Sequence, residues 1–163
     1  MNIMKAGNYY VGDLCYVMAD EWREVCDLII DGNNCKEGIF QLKDGREFAI
    51  FNTMYGDGQY SDNNGFNDYC VDSGSIGCIL LSNIDMANPN NKFTYKTEHD
   101  VIVFYGNEVE FKEDFEVSSS DGKIVFGDLV IDTAEEDIEP EDDWNYESDD
   151  PSSYDVYEET DYV

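Results

Sequence analysis

Over the first 131 residues, apolar and polar positions alternate in runs too short for helices, and that pattern predicts strands. Residues 8–18 (NYYVGDLCYVM) are aromatic and β-branched, with a bend at Gly12-Asp13. One helical pattern interrupts the strands. From 21 to 31, Trp22, Val25, Cys26 and Ile29 fall at i, i+3, i+4 and i+7; Asp20 is placed to cap the start and Gly32 to stop the end. Residues 39–43 and 46–53 flank Asp44-Gly45, a two-residue hairpin signal. Short strands follow at 68–72, 75–81 and 101–105. Gly106-Asn107 reads as a turn into a strand that puts Val109, Phe111, Phe115 and Val117 on one face, and Asp121-Gly122 as a hairpin returning through 124–131. The expected fold is mainly β (α+β): a small barrel or sandwich of about eight short antiparallel strands, with one amphipathic helix near residues 21–31 packed against it.

The pattern stops at residue 131. Residues 132–163 show no sustained apolar period, contain Pro140 and Pro151, and carry fifteen acidic side chains with no Lys or Arg. This divides the chain into a β-rich domain, 1–131, and an acidic tail, 132–163, whose default state is disorder. Trp144, Tyr146, Tyr154, Tyr157 and Tyr162 interleave with the acids, which a plain solubilising tail does not need.

Charge then narrows the function. The formal net charge is −29, of which the body supplies −14 (23 acids, nine bases) and the tail −15. A body of that size has a radius of gyration of about 14 Å and a diameter near ~36 Å. Duplex DNA of that length carries roughly 21 phosphates. The body falls short of this density, whereas body and tail together exceed it. Such a surface suits a basic partner that otherwise grips DNA or RNA, and it disfavours direct binding to nucleic acid or to an anionic membrane. The candidate partner contacts are Glu135, Glu136, Asp137, Glu139, Glu141, Asp142, Asp143, Asp149 and Asp150, with Trp144 and Tyr146 as aromatic anchors. In the body the matching run is Glu113-Asp114, with Glu108, Glu110 and Glu116 nearby.

Candidate chemistry is sparse. Cys15, Cys26, Cys35, Cys70 and Cys78 include no C-x-x-C and share the chain with a single histidine, His99. They read as reduced, mostly buried thiols of a cytoplasmic protein. The N-terminus lacks the apolar stretch of a signal peptide, and no apolar run approaches bilayer length. Val71-Asp72-Ser73-Gly74 is similar to the active-site turn of aspartic proteases, but those need two aspartates sharing a proton and this chain has one copy. Asp-Ser-Gly is equally an ordinary turn. Residues 55–65, dense in Gly, Asp and Asn, fail the EF-hand template; Tyr55, Asp57, Tyr60 and Asp62 are a secondary candidate contact loop. No catalytic residue, metal or cofactor is expected.

Gly12-Asp13-Leu14-Cys15-Tyr16-Val17, Trp22, Tyr55-Gly56-Asp57-Gly58-Gln59-Tyr60, Asp62 and Val71-Asp72-Ser73-Gly74 through Gly77 together resemble a pattern found in small phage and bacterial proteins of unassigned function. In that family Pro usually stands at the position of Leu14. The resemblance spans about residues 7–81 and implies a phage-associated setting. In charge alone, the chain also resembles acidic phage proteins that imitate DNA and disable restriction or CRISPR nucleases. The expectation is a non-enzymatic anti-defence inhibitor that mimics nucleic-acid charge and blocks a basic host protein. Two alternatives stand beside it: an immunity protein or antitoxin covering a basic toxin, and a hydrolase using Asp72 with Asp57 or Asp62.

Overall fold

The two larger antiparallel sheets and one α-helix form three layers in the computed structural model, which describes residues 2–65 and 68–134. In chain order the elements are β1 (Ile3–Met4), β2 (Gly7–Gly12), α1 (Trp22–Ile29), β3 (Ile30–Asp31), β4 (Asn34–Cys35), β5 (Gly38–Gln41) and β6 (Glu47–Asn52). Then come β7 (Gly58–Ser61), β8 (Asp68–Val71), β9 (Ser75–Leu80), β10 (Thr94–Lys96) and β11 (Ile102–Phe104). The last four are β12 (Gly106–Phe111), β13 (Phe115–Ser120), β14 (Lys123–Phe126) and β15 (Leu129–Asp132). A five-stranded sheet runs β12-β2-β9-β6-β5 and a four-stranded sheet runs β1-β13-β14-β15.

Side-chain parity explains the layering. Tyr9, Val11, Ala49, Phe51, Ile76 and Cys78 project from one face of the five-stranded sheet and pack on Phe115, Val117, Ile124, Phe126 and Ile131 of the other sheet. From its opposite face, Tyr10, Phe48, Ile50 and Ile79 pack on Val25 and Ile29 of α1, with Leu14, Val17 and Met18 beside them. The middle sheet is therefore covered twice, which is why Ser75 to Ile79 of β9 are buried without a break instead of alternating. Each fully buried Val or Ile in α1 contributes about 1.5–3 kcal/mol relative to exposure. The mainly β sandwich with one helix is the architecture observed.

Several local expectations are corrected. Fifteen strands occur among the described residues, because pairings as short as β1, β3 and β4 leave no readable period. The helix ends at Ile29: Ile30 already pairs with Cys35, so Gly32 turns a two-strand ribbon rather than capping a helix. Glu21, not Asp20, sits at the N-cap position and makes no side-chain cap bond; the Asp20 carboxylate accepts from Asn88 Nδ2 at 3.0 Å. The Asp44-Gly45 hairpin is a three-residue loop, with Gly45 N–H donating to Leu42 O and Leu42 N–H to Arg46 O, both at 2.9 Å. Gly45 takes φ 99°, as the bulge of such a loop requires. Gly106 lies within β12, not at a turn; a Cβ there would come within 2.5 Å of Val11 O and 2.6 Å of the Tyr10 ring. Asp121-Gly122 forms the two-residue hairpin expected, with φ values of 53° and 83° between paired Ser120 and Lys123.

Candidate functional site

The three stretches that carry the sequence resemblance meet at one place. Asp13, fully buried where β2 ends, accepts Cys15 N–H at 3.0 Å and the Ser73 hydroxyl at 2.7 Å on Oδ1. Its Oδ2 accepts Asp72 N–H and Ser73 N–H, each at 2.7 Å. The Ser73 hydroxyl also shares a 2.8 Å hydrogen bond with Ser75 Oγ. The 55–61 loop joins through Thr53, whose N–H donates to Gly74 O at 3.0 Å and whose hydroxyl donates to Gly56 O at 2.7 Å. β7 then pairs with β8 from Gly58↔Val71 to Ser61↔Asp68.

This wiring sorts the candidate residues. Tyr60 is buried and donates its hydroxyl to Gly56 O at 2.9 Å. Asp62 is buried, accepting Tyr69 Oη at 2.8 Å on one oxygen and Asn64 N–H at 3.0 Å on the other, and it bridges to Ile131 of β15. Both therefore support the loop and are not open contact residues. Tyr55, Asp57 and Asp72 are exposed. Among the described residues Asp72 does not stand in a buried acid pair: it is exposed, and its backbone N–H donates to Asp13 Oδ2. Burial, then Asp13, then Asp72 and Asp57, push the Cys15 thiol well up, away from thiolate reactivity. Burial followed by Asp62 raises Tyr69.

A second feature gathers exposed acids. β12 is an edge of the five-stranded sheet, and the turn at 112–114 carries the chain into β13 of the other sheet. Between them and the β14–β15 turn lies an open cleft of about 730 Å³. Val109, Phe111, Phe115 and Leu129 are among its apolar lining residues; Glu110, Glu113, Asp114, Glu116 and Asp128 are its acidic ones, against Lys112 alone as a basic one. Phe111 stacks on Phe115 with centroids 3.8 Å apart and planes at 13°. Asp114 has a neighbour of opposite sign, Lys5 Nζ at 3.7 Å, and accepts Ala6 N–H at 2.9 Å.

No known family model, curated protein or solved structure matches this chain.

The acids expected to touch a partner thus divide by place. Glu110, Glu113, Asp114 and Glu116 come together at the cleft, with exposed Glu108 further along β12. Glu135, Glu136, Asp137, Glu139, Glu141, Asp142, Asp143, Trp144, Tyr146, Asp149 and Asp150 lie outside the described residues. Asp132, grouped with the tail by composition, pairs with Lys123 in β15, and Thr133 after it is fully buried. Sequence reasoning missed Asp13 as a hub and Asp128 as a cleft acid. The available signals were an Asp among apolar residues at a strand end and the Gly127-Asp128 turn between Phe126 and Leu129. Among the described residues, no group of three or more His, Cys, Asp or Glu is placed to hold a metal ion, and no helix is long and apolar enough to cross a membrane.

Proposed function

We propose that this protein is an acidic inhibitor that presents nucleic-acid-like charge to a basic DNA- or RNA-binding protein of a host cytoplasm, a defence nuclease being the favoured class of target. The observation that carries this reading is the division of labour among the carboxylates. Asp13 and Asp62 are consumed by the fold, whereas residues 106–132 contribute eight acids against two lysines, and Glu108, Glu110, Glu113, Asp114 and Glu116 are all exposed on β12, β13 and the turn between them. Clustered, unneutralised charge costs stability through self-repulsion, and a cationic partner surface offsets that cost. The tail adds fourteen acids beyond residue 134 in the same chain.

The test uses the full chain as bait for a purified basic nuclease or for cell lysate, with duplex DNA as competitor. Expected is capture of a nucleic-acid-binding protein that duplex DNA displaces. Capture should weaken by orders of magnitude between about 50 and 200 mM salt, as for a DNA-like ligand making several contacts. Capture that DNA leaves untouched argues instead for an immunity protein or antitoxin that covers a toxin elsewhere.

A further inference from the structure

We infer that the cleft between β12, β13 and the β14–β15 turn takes a long cationic side chain, arginine before lysine, from the partner. The proposal rests on the inhibitor reading for the partner and adds the chemistry of one contact. Three observations converge on it.

First, the cleft is concave and of ligand size: about 730 Å³ falls within the ~300–1,000 Å³ usual for such sites. Second, its surface is split by chemistry. Phe111 and Leu129 offer an apolar floor for a methylene stem, and Phe111, stacked on Phe115 and only half buried, offers ring surface to a planar cation. Third, the rim is anionic and little neutralised. Five acidic residues and one lysine line it, and Glu110, Glu113, Glu116 and Asp128 form no ion pair with another described residue. An apolar ligand would leave those carboxylates partly desolvated and unpaired, and an anion would be repelled. A side chain with an alkyl stem and a cationic head satisfies both halves. Guanidinium is favoured over ammonium because it is planar, weakly hydrated, stacks on rings and can engage a carboxylate with two parallel bonds.

The geometry also says how the contact is held. Gly127 N–H donates to Glu116 O at 2.8 Å, so the β14–β15 turn that supplies Asp128 is tied to the strand that supplies Glu116. Asn63 Nδ2 donates to Asp128 O at 3.0 Å from the other side. Glu110 and Glu116 therefore sit on paired strands, and the turn that carries Asp128 is hydrogen-bonded on both sides, which reduces the ordering cost of binding.

The experiment titrates the full chain with three probes, Nα-acetyl-arginine amide, Nα-acetyl-lysine amide and Nα-acetyl-norleucine amide, while following methyl resonances by NMR. Expected are saturable shifts at Ile3, Val109 and Leu129 with the arginine probe. Lysine should bind at least about threefold more weakly, and norleucine should cause no saturable shift. E110Q/E116Q should weaken the arginine probe about tenfold, a loss of about 1.4 kcal/mol. The control E98Q/D100N removes the same charge from the exposed turn after β10 and should change affinity less than about twofold. Equal weakening by both variants, equal binding of norleucine, or a uniform unsaturable drift of methyls overturns the cleft. Saturable arginine binding without any DNA-displaced partner retains the cleft and removes the inhibitor reading; DNA-displaced capture without saturable arginine binding does the reverse.

Discussion

A carboxylate with no exposed surface is stable only where donors replace its water, and Asp13 has four. Removing it strands the N–H groups of Cys15, Asp72 and Ser73, each at about 1–3 kcal/mol when buried. Asp13→Ala is therefore expected to lower unfolding stability by about 3 kcal/mol or more, whereas exposed Asp72→Asn should stay within about 0.5 kcal/mol; urea unfolding curves measure both. A large loss for Asp72→Asn would reopen a structural or catalytic role for that carboxylate. The tyrosines make a separate prediction. Burial, with smaller contributions from Cys78, Glu47 and Asp114, pushes Tyr9 up to about 12 from 10.0. Tyr10, Tyr16 and Tyr69 move the same way. The unfolded chain loses these protons first, so stability should hold below pH 10 and fall from about 10 to about 12. Unfolding followed across that range, together with tyrosinate absorbance, tests the sign. At this scale the sequence showed a bend at Asp13 but not its hydrogen bonds, because three of the four donors lie some sixty residues away.

Among the elements, hairpins were legible where turn chemistry is local. Asp121-Gly122 was read correctly since both residues must take positive φ. Gly106 was misread because a glycine needed for close approach to Val11 and Tyr10 looks, in sequence, like one needed for a turn. The helix was overextended by two residues at its C-terminal end since Ile30 and Asp31 fit its period yet pair with β4. The end of β15 carries its own prediction. Thr133 N–H donates to Gly122 O at 2.7 Å, and its hydroxyl accepts Met54 N–H at 3.0 Å. A chain ending at residue 131 loses these bonds together with the Asp132–Lys123 pairing, and should be destabilised by about 2–3 kcal/mol. One ending at residue 134 keeps them and sheds fourteen acids, so its melting temperature should match or exceed that of the full chain. Thermal unfolding of the two truncations decides this.

For the whole molecule, the sandwich and its helix were readable from periodicity and the acidic run from Glu108 to Glu116 from composition, while the arrival of Asp128 beside that run was not. Glu110 and Asp128 are eighteen positions apart and meet only because two sheets share an edge crossing. A net charge of −29 also makes the folded state sensitive to screening. Added monovalent salt should raise the melting temperature, in contrast to its weakening of partner capture. A melting point that falls or stays level would mean that self-repulsion is not a significant burden on the fold.

The placement of β9 sets the pace of opening. It is the middle strand of the five-stranded sheet, bonded to β2 and β6 on either side, with one face beneath the second sheet and the other beneath α1 and its loops. Solvent deuterium has no shallow route to its amides. Their exchange should report disassembly of the entire domain, while β10 and β11, paired only with each other, take up label first.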